Sequence, residues 1–414
     1  MKIRQILLVI LYSISQVAFS SVSFDDYFTD ATLRLDYIFA GDSLEQHIYV
    51  DELHRLKGWA GRRHNLDEFP VHGNGQLVVK DAANGDTLYC HSFSTLFQEW
   101  QGTQEAAATK KAFENVFLVP YPKKAVDIIV KLFDFHLKVT AEMTHRVKPD
   151  DILIKPVEGA CHAEKVLLRG GSPADCIDIV FLAEGFTEGE MPLFYERARQ
   201  ACDELFRYEP FKSLKTKFNV YALGTVSEES GVSVPREKVW KNTAVDSHFD
   251  TFYMERYLTT LHLKHLHNLL AGVPYEHIII LANTATYGGG GIYNSYNLTS
   301  TEHSRYLPVV VHEFGHSFAG LADEYYYDDQ YTEMYYPDVE PWEANITTMK
   351  DFGSKWKDLC DTGEAGLHEG GGYQSKGVWR AYEDCRMKTN DAPFFCKVCE
   401  RELRRVIEFY TSKK

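Results

Sequence analysis

Beyond its first twenty residues the chain has no run of 18 or more consecutive apolar residues, so no later segment reads as a membrane-spanning helix. Positive charge is scarce. The 44 lysines and arginines face 59 aspartates and glutamates, a net charge of −15. That balance argues against nucleic acid or anionic lipid as a partner and suits solubility outside the cell. No cysteine closely follows the N-terminal apolar run, so a lipid anchor is not expected. The glycine run from Gly288 to Gly291 lacks the lysine and Ser/Thr of a nucleotide loop. The acidic, tyrosine-rich stretch 323–338 lacks the regular ligand spacing of a calcium loop. Calcium is therefore the alternative there to a solvated face or a specificity rim.

Lys2 and Arg4, an apolar run over residues 6–12, and small residues at Ala18 and Ser20 read as a signal peptide of residues 1–20. An uncleaved signal anchor is the alternative. Export to a periplasm, a cell surface or the medium follows. The rest, 44% hydrophobic and 14% aromatic in the whole chain, is long enough to build two cored domains. Eight cysteines remain: Cys90, Cys161, Cys176, Cys202, Cys360, Cys385, Cys396 and Cys399. In an exported chain disulfides are the favoured use. A structural zinc site drawn from Cys360, Cys385 and the Cys396–Cys399 CxxC is the alternative, and some cysteines read as buried thiols.

Between residues 34 and 140 short alternating runs (34–40, 76–81, 125–132 and 135–140) predict strands, and turn signals follow the first two. A β-sandwich N-terminal domain over 21–155 is the expectation. Residues 149–173 read as a loop. Beyond 155 the pattern turns α/β, with strands over 177–183, 217–223 and 277–281. Helices are expected over 188–205, 249–269 and 391–409. His262, His265 and His267 fall on the second of these and read as ordinary helix histidines. Glu184 ends a strand and stays unassigned.

The chemistry concentrates at His312, Glu313 and His316 in VVVHEFGHSFAGLADEY. Histidines four apart on a helix share one face, so both imidazoles can reach one metal ion. The intervening glutamate is placed to take a proton from an attacking water. Val309 to Val311 supply a buried helix face, Pro308 suits a first turn, and Thr301 or Ser304 can cap it. Gly320 breaks the helix and lets the chain turn back. A third ligand must come from another direction, and Asp323 or Glu324 supplies the oxygen. Two satisfied core histidines are the bland reading, which a glutamate at this offset and the carboxylates behind the glycine disfavour.

The string HEFGHSFAGLADEY resembles the active-site signature of the secreted bacterial IgA-peptidase family, which is metzincin-like. Residues 177–187, 218–222, 228–232, 242–247 and 288–291 are similar to the same family, as are Cys385-Arg386-Met387 and residues 395–399. The likeness covers about 155–414, and the family's β-rich leading domain extends it toward the N-terminus. It implies His312, His316 and Asp323 as zinc ligands, Glu313 as general base and Met387 as the methionine of the turn beneath the metal. The usual metzincin glycine stands three residues after the second histidine and the third ligand six after. Here Gly320 is four after His316 and Asp323 seven after. Glu324 is the next choice for the third ligand and Glu340 the one after.

The fold expected is thus α+β or α/β: a β-sandwich followed by a metzincin-like zinc metallopeptidase domain over 156–414. The function expected is zinc-dependent endopeptidase cleavage of extracellular proteins or glycoproteins, with one catalytic zinc. Gly289, Gly290, Gly291 and Tyr293 precede the active helix, where a glycine strand can approach substrate backbone. A surface loop is the equal alternative. A non-catalytic glycan- or protein-binding relative, and a zinc amidase of cell-wall peptides, are the competing functions.

Overall fold

The computed structural model describes residues 22–159, 162–327 and 334–412. The expected signal peptide, Cys161 and the middle of the acidic stretch lie outside the described residues.

Two four-stranded sheets occupy the N-terminal part. The first runs Lys111–Pro122, Phe28–Gly41, Gln46–Lys57, Lys155–Pro156, antiparallel except for its short last strand. The second runs Thr87–Phe93, Gly75–Asp81, Val126–Phe133, Val139–Val147, antiparallel throughout. Alternating side chains of Gly75–Asp81 and Val126–Phe133 turn inward, the period-2 rule made visible. Leu33, Leu35, Tyr37 and Phe39 line the first sheet's buried side. Phe39 meets Phe93 of the second sheet with ring centroids 6.1 Å apart, and Phe93 meets Phe117 at 4.4 Å. The strand expected over 135–140 begins only at Val139, because Leu137 takes a left-handed turn with φ +58°. Seven of the twelve residues of Gln46–Lys57 are exposed, Tyr49 and Val50 among them, so its apolar residues do not mark a buried face.

The remainder is built on a six-stranded sheet ordered Gly289–Ile292, Tyr296–Ser300, His277–Ala282, Ile177–Glu184, Phe218–Gly224, Ala163–Arg169. The inner four strands are parallel and both edges antiparallel. Ile177–Glu184, Phe218–Gly224 and His277–Ala282 are buried at every residue, as strands covered on both faces require. On one face Ile179, Phe181 and Ile279 share a core with helices Met191–Leu205, Tyr306–Ala319 and Lys397–Thr411. On the other, Val180, Leu182 and Ile280 share a core continuous with the N-terminal sheets. A small sheet of Ile346–Thr347, Gln374–Arg380 and His368–Gly371 follows helix Tyr306–Ala319 in the chain.

The helix expected over 249–269 is corrected to Leu263–Leu269. Asp250, Phe252 and Tyr253 have φ of +60°, +54° and +64°, which no α-helix accommodates. The last helix starts at Lys397 rather than 391. No helix among the described residues is long and apolar enough to cross a membrane.

Candidate active site

Helix Tyr306–Ala319 buries Val309, Val310, Val311, Phe314 and Phe318. The two phenylalanines stack four residues apart with centroids at 5.1 Å. Pro308 is its third residue, where the missing N–H costs nothing. The expected caps are not used. Arg305 holds the cap position without a side-chain bond, and Thr301 Oγ1 instead donates to Ala282 O at 2.9 Å. The helix ends at Gly320, whose φ of +62° is left-handed and whose N–H returns to His316 O at 2.9 Å. A Cβ there would lie 2.4 Å from the Trp342 ring, so glycine answers both the backbone and the packing.

The turn carries Asp323 back over the helix. Its Oδ1 lies 3.0 Å from His312 Nε2 and 3.2 Å from His316 Nε2. The two Nε2 atoms are 3.0 Å apart, on rings inclined at 83°. His312 Nδ1 faces Arg386 O at 2.9 Å and His316 Nδ1 faces Leu321 O at 2.5 Å. A carbonyl only accepts, so each Nδ1 carries the hydrogen and, in the neutral ring that binds a metal, each Nε2 presents a lone pair. Two lone pairs and a carboxylate oxygen therefore converge, an arrangement that calls for positive charge between them. Burial disfavours a charged imidazole at His316, yet Asp323 outweighs it and raises the pKa to about 9. Burial likewise opposes the Asp323 carboxylate, which His316 and His312 hold far below its ordinary range. Two imidazoles and one carboxylate are the donor set that zinc accepts, so the residues fit that ion.

Glu313 lies beside this cluster with its carboxyl raised by burial, an effect the two histidines counter. The glycine strand packs directly on it. A Cβ at Gly289 would sit 3.1 Å from Glu313 Oε1, and one at Gly291 3.1 Å from Oε2. The glycines thus make room for the glutamate. Tyr293, named with them, is buried and ties the sheet to the N-terminal part, its hydroxyl 3.2 Å from Ser92 Oγ and its carbonyl accepting from Ser94 N at 3.0 Å. That tether corrects its reading as a substrate contact.

Met387 is fully buried beneath the helix, where a Cβ on Gly315 would fall 2.6 Å from its sulfur. Its carbonyl accepts from Glu324 N at 2.8 Å. Glu324 points away from the histidines, bonding Asn345 Nδ2 and Cys399 Sγ. Glu340 pairs with Lys355 at 3.7 Å and accepts from Asp351 N, outside the cluster. The solvated-face reading of the acidic stretch fails at its start, since Asp323 and Glu324 are buried. His267 is buried against the Tyr275 hydroxyl at 2.6 Å. Glu184 organises a loop, accepting from Thr243 Oγ1, Val245 N, and the N–H and hydroxyl of Ser247 at 2.6–2.9 Å.

Three neighbours of the cluster have no counterpart among the residues the sequence singled out. Tyr373 donates its hydroxyl to Asp323 Oδ2, leaving Oδ1 for the histidines. Tyr325 lies nearly parallel to His312, centroids 6.4 Å apart. Glu99, from the N-terminal part, accepts from Tyr257 and has its carboxyl raised to about 7 by burial, with Asp323 and Glu313 adding to the effect. The tyrosine-rich run hinted at the second. Nothing local marks the other two, which chain folding alone brings in.

No curated protein gives a significant match to the chain. Family signatures do. "IgA Peptidase M64" matches residues 166–365, which include the active helix and Asp323 but not Met387. "Peptidase M64 N-terminus" matches residues 23–144, which hold most of the two leading sheets. Together they span most of the chain, and with HEFGH lying inside the first, this protein belongs to the IgA peptidase M64 family and is a peptidase.

Proposed function

We propose that the protein is an exported, zinc-dependent, metzincin-like endopeptidase of extracellular proteins or glycoproteins. The observation that carries this reading is the convergence of His312 Nε2, His316 Nε2 and Asp323 Oδ1 beside Glu313. Zinc held there would supply Lewis acidity to the scissile carbonyl and to water. Glu313 accepts the proton of the attacking water and returns it to the leaving amine. Its raised carboxyl suits the second half of that cycle. Arg386 O and Leu321 O keep both imidazoles in one tautomer, and Tyr373 holds Asp323 in place.

The domain division near residue 155 and the signal peptide belong to this reading. So does an extended substrate pairing with the Gly289–Ile292 edge strand. Because Tyr257 already bridges that strand's outer side at Gly289, such pairing would fall to its later residues. Export rests on the leader-like N-terminus and the acidic balance. Endopeptidase action rests on the lack of any sequence feature that would capture a chain terminus.

The test is cleavage of a peptide library mapped by mass spectrometry, using wild type and Glu313→Ala. Wild type should cut internal bonds, lose that activity to a zinc chelator and regain it with added zinc. Glu313→Ala should keep its metal and lose about 10²–10⁴-fold in rate. Near-normal cleavage by the variant would refute its role as base.

A further inference from the structure

We infer that the protein holds a second, structural zinc in a site made by Cys385, Cys396, Cys399 and Glu324. The inference does not rest on the histidine site. One sulfur or carboxylate oxygen from each of these four buried residues lies within 4.8 Å of the other three. Cys385 Sγ and Cys399 Sγ are 3.8 Å apart, and Cys399 Sγ is 3.2 Å from Glu324 Oε1. Sulfurs about 2.3 Å from a tetrahedral zinc stand about 3.8 Å from one another. A disulfide needs about 2.05 Å and uses two sulfurs, which would strand the third. The seven described cysteines are all free thiols. Cys360 is not part of the group. Its thiol lies 3.6 Å from Gly366 O, and Glu324 takes the fourth place that sequence spacing offered to it.

Independent support comes from Glu324 itself. It is 0% exposed, and its Oε2 has no hydrogen-bond partner. A buried carboxylate oxygen without a donor is costly, and a cation removes the cost. Three thiolates and one carboxylate select a borderline-soft ion such as zinc over calcium or magnesium. Binding would release the thiol protons.

The placement gives the site a purpose. Glu324 adjoins Asp323, and Cys385 stands two residues before Met387. Between them Arg386 supplies the carbonyl that orients His312. A metal here clamps the Asp323 strap and the Met387 turn to the start of helix Lys397–Thr411, where Cys396 is the cap residue and Cys399 lies in the first turn. The structural ion would thus hold the groups that shape the histidine cluster.

The experiment is zinc quantification and X-ray absorption at the zinc edge on the full chain, as wild type and as His312→Ala/His316→Ala. The variant should keep one zinc with about three sulfurs at about 2.3 Å. Wild type should hold two, its spectrum mixing sulfur with nitrogen and oxygen. Wild type carrying sulfur-bound zinc alone would fail the histidine reading and leave this one standing. If the variant does not fold, the wild-type spectrum decides. A wild-type spectrum without sulfur, or intact-protein mass showing a disulfide among these three cysteines, overturns the site.

Discussion

Replacing Tyr373 by phenylalanine removes one hydroxyl and keeps the ring that packs 5.2 Å from Tyr325. That hydroxyl donates to Oδ2 of Asp323, the oxygen turned away from the histidines. A hydrogen bond to a charged group contributes about 1.5–3 kcal/mol. The bond forms with or without metal, so only the part that steers Oδ1 toward His312 and His316 enters the affinity. Losing the partner of a metal ligand costs about 10–100-fold in binding. At 1.4 kcal/mol per tenfold this is about 1.4–2.8 kcal/mol, within the worth of the bond itself. The assay is peptide cleavage against buffered free zinc. The midpoint should move to about 10–100-fold higher zinc, while the rate at saturating zinc stays close to wild type. A shift below about twofold would refute the view that Tyr373 positions the third ligand. A lost rate at saturating zinc, with the midpoint unchanged, would move Tyr373 into the chemistry instead.

Three further outcomes follow from the geometry. Asp323→Ala should lose the catalytic zinc in the same titration and Glu340→Ala should keep it; the reverse would reassign the ligand. Gly320→Ala must place a side chain at φ +62° and against the Trp342 ring. Left-handed strain of about 1–2 kcal/mol and overpacking of about 1–3 kcal/mol should lower denaturant stability by about 2–5 kcal/mol, and an unchanged midpoint would contradict that packing. The rate should also fall in acid, because a general base works only when ionised. Burial raises Glu313 above its ordinary 4.5, so the half-point of the acid limb of kcat/KM should lie above that value. A limb well below it would mean that Glu313 is not the titrating base.

The strongly periodic segments were legible. The buried runs at 177–183 and 277–281 became strands, since a largely apolar stretch satisfies a sheet covered on both faces. The active helix and its end at Gly320 were legible because spacing, burial and the glycine agreed. Residues 249–262 misled, since helical apolar spacing says nothing of the left-handed residues at Asp250, Phe252 and Tyr253. Strand Gln46–Lys57 was missed because it is held by pairing to Phe28–Gly41 rather than by burial. Tyr293 was placed near the right strand, but chain proximity did not reveal that it faces Ser92.

By itself the sequence determined the helix with two histidines on one face, the glutamate beside them and the break that lets the chain return. Those are local consequences of helical pitch and of one glycine. Only the tertiary structure decided which carboxylate faces the imidazoles. Asp323 and Glu324 are neighbours with the same charge, yet one turns to the histidines and the other to three cysteines. Consecutive side chains leave an extended segment on opposite sides, and which side meets the helix depends on how that segment is anchored. Here the anchors are Gly372, Tyr373 and Met387, bonded to the backbone of residues 323–325 from about fifty or more positions away. Spacing within the motif carries no record of them.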